Sequence, residues 1–369
     1  MTMKTRSILF AVMAFSLAAC TSTPEIETFK VNVNLANADG QMAYLQKDGQ
    51  VIDSATITNW EAAFDAPVGE GTETYGLMLK NWRRAFPFFT NNNDVTLEGD
   101  AQNPNSILVK GSETHDRLTA FTKGFNEYDL QMDSIGQLLQ EAKNAENPKE
   151  IARLQHELDD MTELQKMYCF DYVWENPSDP VAHYVLYRYK WAFNPCEMRT
   201  MINNIRNADS ASETYNLTMA EEYVEKQEQV QAGRPFVDFT QNDPDGNPLT
   251  LSQLAEGKLL LVDFWASWCP DCRKENPNVV AAWQKYHDQG FDVLGVSFDT
   301  NKEAWLAAIE KDGLTWPHVS DLQGWNNAAG ALYSIAFIPQ NALIKDGMIV
   351  ARNLEGAELM EEIERQLQK

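Results

Sequence analysis

Cationic side chains are scarce in this chain: 30 Lys and Arg stand against 54 Asp and Glu, a formal net charge of −24 over 369 residues. Such an excess repels phosphate backbones and anionic lipid headgroups, which argues against binding nucleic acid, or a membrane through a basic patch. Long hydrophobic runs are missing too. No stretch reaches the roughly 18 apolar residues that a membrane-spanning helix needs. Histidine is rare, and His115, His156, His183, His287 and His318 show no metal-ligand spacing, so each reads as a surface or packing residue and no metal site is expected. There is no internal repeat and no dominant low-complexity tract. What is present is core material: 44% hydrophobic residues, with 17 Phe, 12 Tyr and 10 Trp. A chain of this length exceeds one ordinary core, so two or three domains are expected.

The first 20 residues carry a processing signal. Lys4 and Arg6 form a short basic region, residues 8–19 form an apolar run of signal-peptide length, and small residues lead into a cysteine. Leu17-Ala18-Ala19-Cys20 resembles a lipobox. That resemblance implies diacylation of Cys20 and cleavage before it. Two acyl chains suffice for stable anchoring when each buried methylene contributes roughly 0.8 kcal/mol. Export then leaves Cys169, Cys196, Cys269 and Cys272 in an oxidising compartment.

Residues 28–112 read as a small β-rich domain. Phe29-Lys30-Val31-Asn32-Val33 alternates apolar with polar, Asn37-Ala38-Asp39-Gly40 supplies turn chemistry, and strand-like runs follow at 42–46, 50–58 and 106–110, with Asp48-Gly49 as a hairpin signal. From 114 to 230 the pattern becomes helical, as in Ile151, Leu154, Leu158, Met161 and Leu164, with Pro148 near a helix start and Pro177 and Pro180 breaking the pattern. Residues 167–193 are dense in aromatics, read as helical core in preference to a ligand groove. Cys169 and Cys196 could staple two of these helices or stay as buried thiols; the spacing leaves both open. A linker at Gln231-Ala232-Gly233-Arg234-Pro235 precedes residues 233–369, where short β runs at 237–240 and 248–250 lead into alternating elements. Strands are predicted at 259–264 and 292–298, and helices at 270–286, 302–311 and 357–367, an α/β pattern.

Cys269-Pro270-Asp271-Cys272 follows the first of these strands and opens a helix. Free backbone N–H groups and the positive end of the helix dipole stabilise a thiolate there, making Cys269 the nucleophile. Cys272, about one turn further in, is placed to attack a mixed disulfide as the resolving thiol. Half of a zinc site has the same spacing, but no further ligands accompany the pair. Asp263 interrupts an apolar strand, a costly position for a charge unless it titrates or is paired.

The segment Leu261-Val262-Asp263-Phe264-Trp265-Ala266-Ser267-Trp268-Cys269-Pro270-Asp271-Cys272-Arg273-Lys274-Glu275 resembles the active-site segment of the thioredoxin superfamily, especially its membrane-anchored TlpA/ResA-like branch. Tyr333-Ser334-Ile335-Ala336-Phe337-Ile338-Pro339-Gln340 is similar to the segment bearing the family's cis-proline, and Lys345-Asp346-Gly347 to the hairpin turn after it. The likeness covers about residues 233–369 and implies a thioredoxin-like α/β C-terminal domain behind a β-rich domain and a helical region. It implies a cis Ile338-Pro339 bond facing the cysteines, Ile338 backbone pairing with incoming peptide, and Trp268 as part of the docking surface. It also implies proton transfer by Asp263, with Glu275 matching the carboxylate of the ResA-like branch. The dipeptide departs from the thioredoxin Gly-Pro: Asp271 disfavours the Cys269 thiolate, while a proline-first order also occurs in oxidising relatives. Ala266 stands where peroxide-reducing relatives carry Thr, which argues against peroxidase chemistry.

The leading expectation is therefore a thiol-disulfide oxidoreductase, lipid-anchored in a bacterial cell envelope and facing the periplasm, reducing disulfides of exported proteins with electrons from a membrane donor protein. No cofactor is expected. The alternative is a lipoprotein binding or scaffold module whose redox domain senses or regulates. The β-rich segment weakly resembles the N-terminal domain of unknown function often joined to such lipoproteins.

Overall fold

Alternation in Thr28–Ala36 turns Phe29, Val31, Val33 and Leu35 to one face and leaves polar neighbours on the other, the period-two signature of a half-buried strand. The computed structural model describes residues 27–69 and 71–369; the expected leader and its Cys20 lie outside the described residues. The chain divides into two units between Arg117 and Leu118.

The first unit holds β1 (Thr28–Ala36), β2 (Met42–Lys47), β3 (Gln50–Thr56), β4 (Glu61–Pro67), β5 (Glu73–Leu79), β6 (Phe86–Thr90), β7 (Val95–Asp100) and β8 (Asn103–Lys110). They form two four-stranded sheets, ordered β4-β1-β7-β8 and β3-β2-β5-β6, with β1 and β7 parallel and the other paired strands antiparallel. Both sheets feed one core: Val31, Val33, Phe64 and Leu97 from the first, Leu45, Tyr75, Leu77 and Phe88 from the second. Asp48 and Gly49 take φ of 50° and 76°, the double left-handed turn a two-residue hairpin demands. β6 is a continuous Phe run without the alternation that marks β1, and in β4 the inward Ala62 and Ala66 differ too little in polarity from the outward Ala63 for the alternation to read as a strand.

Five helices open the second unit: α1 (Glu113–Asn144, which begins in the first unit), α2 (Pro148–Glu175), α3 (Pro180–Arg188), α4 (Pro195–Ala208) and α5 (Tyr215–Gln229). Proline stands in the first turn of α2, α3 and α4, behind an Asn or Asp cap. α1 and α2 run antiparallel, since Phe121 stacks on Tyr168 near one end while Leu139, Ala142 and Leu154 pack together near the other. The aromatic-dense stretch is core only in part: Phe121 and Phe125 meet Tyr168, Tyr172 and Tyr189 at ring separations of 4.4–6.1 Å, while Trp174 and Trp191 are exposed.

After this come β9 (Thr240–Asn242), β10 (Pro248–Thr250), α6 (Leu251–Ala255), β11 (Leu259–Trp265), α7 (Pro270–Tyr286), β12 (Phe291–Ser297), α8 (Lys302–Asp312), β13 (His318–Val319), α9 (Ala328–Leu332), β14 (Gln340–Lys345), β15 (Met348–Arg352) and α10 (Gly356–Leu367). The sheet order is β13-β12-β11-β14-β15; β11, β12 and β13 are parallel, and β14 and β15 antiparallel to their neighbours. This is a thioredoxin-like α/β domain. β11 and β12 are buried at every residue, as expected of central strands covered on both faces. The strand expected at 237–240 is corrected: it begins only at Thr240. Asp238 bonds the N–H groups of Phe239 and Ser252, and that local side-chain competition replaces a ladder.

Candidate active site

β11 delivers the chain to a three-residue loop, Ala266-Ser267-Trp268, that hands over to α7. Ser267 is held on three atoms: its N–H and hydroxyl donate to Asp299 at 2.9 and 2.5 Å, and its carbonyl accepts from Arg273 at 3.1 Å. Asp299 is itself buried and also accepts from the Ser297 hydroxyl at 2.8 Å. Arg273 is fixed in turn by a two-point ion pair with Asp312, which also accepts from Asn276 at 2.7 Å. Sequence reasoning missed Asp299 and Asp312. Asp299 carried a usable signal, a carboxylate ending an apolar strand, like the one that marks Asp263.

Cys269 caps α7, Pro270 fills its first turn, and Cys269 Sγ accepts the Cys272 N–H at 3.1 Å. The two sulfurs are joined in a disulfide, and both residues are buried. Sγ of Cys269 lies 3.7 Å from the carbonyl oxygen of Ile338, and the Ile338-Pro339 peptide is cis. The helix that opens at Cys269 and the loop that ends at Pro339 therefore meet at one sulfur.

Behind Cys272 runs a narrow cleft lined by Asp263, Glu275, Pro339, Asn341 and Glu355. Asp263 sits on β11 between Gly295 of β12 and Asn341 of β14 and is 6% exposed, so its charged form is poorly solvated. Burial first, then the nearby Glu275 charge, pushes its carboxyl up to about 7. Glu275 accepts from Asn278 and from the Gly356 N–H, each at 2.8 Å, which ties α7 to the first turn of α10. Glu355 completes the acidic wall, its carboxyl raised by burial and then by Glu275 and Asp271. Nothing in its sequence context marked Glu355.

Trp268 is about half exposed beside the sulfurs. Its indole lies 6.0 Å from Trp325, and its N–H donates to the Phe298 carbonyl at 3.4 Å. The structure thus brings together Asp263, Trp268, Cys269, Cys272, Glu275, Ile338 and Pro339. Cys169 and Cys196 stay apart as free thiols, the first buried and pushed up to about 12 by that burial, the second exposed. Among the described residues no cluster of His, Cys, Asp and Glu could hold a metal, and no helix is long and apolar enough to cross a membrane.

Comparison with known proteins finds that residues 232–352 match the AhpC/TSA family and residues 29–118 match a domain of unknown function, DUF4369. A thiol-disulfide oxidoreductase ResA of Geobacillus kaustophilus is 31% identical over 139 residues, 38% of this chain and 78% of that protein. A ResA of Bacillus cereus is 26% identical over 153 residues, 41% of this chain and 86% of that one. Among solved structures, a thiol-disulfide oxidoreductase from Bacteroides fragilis is 31% identical, over 36% of this chain and 99% of that one, at a TM-score of 0.35. With its Cys269–Cys272 disulfide and this kinship over the C-terminal domain, the chain belongs to the ResA family of thiol-disulfide oxidoreductases.

Proposed function

We propose that this protein reduces disulfides of exported proteins, with Cys269 as nucleophile and Cys272 as resolving thiol. The observation that carries the reading is the disulfide at the first turn of α7, with the Ile338 carbonyl on its outer side and the Asp263 carboxyl in the cleft behind Cys272. In the reduced protein, the Cys269 thiolate attacks one sulfur of the substrate disulfide; that bond breaks and a mixed disulfide forms. The substrate's departing thiolate takes a proton from water. Cys272 gives its proton to the Asp263 carboxylate and attacks Cys269 Sγ, releasing the second substrate thiolate and regenerating the internal disulfide. A carboxyl at about 7 suits this exchange, since it accepts and returns a proton near neutral pH. Ile338 supplies a backbone acceptor for incoming peptide, and Trp268 an apolar docking surface. Burial keeps the Asp263 carboxyl high, and Glu275 adds to it.

The protein is held at the envelope, facing the periplasm, by lipid on Cys20, and a membrane protein returns it to the dithiol form. The Leu17-Ala18-Ala19-Cys20 motif supports the anchor. Loss of membrane association in Cys20→Ser tests it. For the chemistry, Cys272→Ser should accumulate mixed disulfides between Cys269 and envelope proteins, read on non-reducing gels. Absence of trapped partners, together with no disulfide-reductase activity of the intact protein, would sink the enzyme reading and leave the binding-module alternative.

A further inference from the structure

Arg352, the last residue of β15, is a partly buried cation, its Nε fully enclosed, with no ion-pair partner among the described residues. A guanidinium taken out of water needs compensation, and here it comes from main-chain oxygens at two helix ends. Its Nη1 donates to the carbonyl of Val230, the C-cap of α5, at 3.2 Å; its Nη2 donates to the carbonyl of Tyr333, the C-cap of α9, at 3.1 Å. Carbonyls at helix C-termini lack intrahelical partners and carry the negative end of the dipole, so both are suited to hold a cation. The next carbonyl, of Ser334, accepts from Gln227 Nε2 of α5 at 2.7 Å, and Gln227 is itself buried. Ser334 adopts φ of 53°, where the chain turns out of α9 toward Pro339. Within the C-terminal domain itself, the Tyr333 hydroxyl donates to the Val237 carbonyl, two residues past the linker, at 2.9 Å. The far side of the loop is braced by its own domain, through Ala336 N–H to the Gln340 side chain at 3.3 Å.

The end of the helical region is therefore fastened to the two residues from which the 335–339 loop departs. We propose that Gln227 and Arg352 are positioning residues through which α5 fixes the loop that presents Ile338 and Pro339 to a polypeptide disulfide. The inference rests on the reading that this loop faces substrate. It assigns the helical region a part in polypeptide recognition while the thiol chemistry stays with Cys269. A small disulfide makes no backbone pairing with Ile338 and is indifferent to the loop; a peptide disulfide depends on it.

The test compares the full chain with Gln227→Met, which keeps side-chain length and loses the donor, and with Arg352→Lys, which keeps the charge but cannot span both carbonyls. Each reduced protein is assayed with hydroxyethyl disulfide and with a synthetic peptide holding one internal disulfide. Gln227 Nε2 also donates to the Tyr223 hydroxyl within α5 at 3.1 Å, so only its bond to Ser334 reaches the loop. Expected is a KM for the peptide raised about fivefold in Gln227→Met, the consequence of losing that one tie to the loop, with kcat and the hydroxyethyl disulfide rate unchanged. Gln227→Lys, which restores a donor, should recover part of the loss. An unchanged peptide KM overturns the proposal, as does an equal fall with both substrates, which marks a merely structural contact. Pro339→Thr serves as reference: if it too leaves the peptide KM unchanged, the reading of the loop as substrate-facing fails. If Pro339→Thr raises KM and neither Gln227→Met nor Arg352→Lys does, only the positioning role fails.

Discussion

Replacing Asp263 by Asn should remove one pH-dependent loss of stability from a defined window. In the fold this carboxyl is raised from 3.8 to about 7, by burial and then by Glu275. Unfolded, it returns to the ordinary carboxylate range. Between those two values the unfolded chain has lost the proton and the folded chain keeps it, so the folded state binds more protons and stability falls as pH rises. The contribution is fully present below about pH 4 and is lost on passing through about pH 7. Each tenfold change in the equilibrium corresponds to about 1.4 kcal/mol. The interval from 3.8 to about 7 then amounts to roughly 4 kcal/mol, an order of magnitude for the whole effect. Asn is isosteric and cannot ionise. Whatever constant offset its amide introduces, the stability of Asp263→Asn relative to the parent should climb between about pH 4 and about pH 7 and then level. Urea unfolding of both oxidised proteins across that range measures the difference, and the other titrating groups cancel in it. Tryptophan fluorescence reports the relevant domain, which contributes Trp265, Trp268, Trp283, Trp305, Trp316 and Trp325. A difference that does not vary with pH would mean that Asp263 is ionised or solvated in the fold, and its proton-handling role would go with it.

Glu275→Gln removes the charge that raises Asp263 while keeping an acceptor for the Gly356 N–H, so the midpoint of that climb should move to lower pH; a midpoint that stays or rises contradicts the coupling. His318 responds to pH with opposite sign: burial pushes it down from 6.5 to about 4, so the stability it contributes above pH 6.5, about 3 kcal/mol in all, is lost as pH falls toward 4. His318→Phe should flatten that acid limb, and an unchanged limb would refute the assignment. Gly295 leaves no room for a methyl, because a Cβ there would collide with the His318 ring. Gly295→Ala should therefore cost about 2 kcal/mol, read as a lower Tm, and an unaltered Tm would mean the pocket yields freely.

The sequence by itself determined the Cys269/Cys272 pair, its place at a helix start, and the strand-embedded Asp263, because each is written in local spacing: two cysteines one turn apart, a proline suited to a first helical turn, a carboxylate within an apolar run. It also marked the Asp48-Gly49 turn, since Gly readily takes a left-handed φ and Asp tolerates one; the turn at Asp346-Gly347 came from the family resemblance. Only the tertiary structure decided what surrounds the sulfurs. Asp299 grips Ser267 across 32 positions, Arg273 reaches Asp312 across 39, Cys269 meets Ile338 across 69 and Gln227 meets Ser334 across 107. No local pattern encodes such pairs. Strand order in the sheet and the docking of helix ends create them, and the same burial that joins them decides which carboxyl keeps its proton.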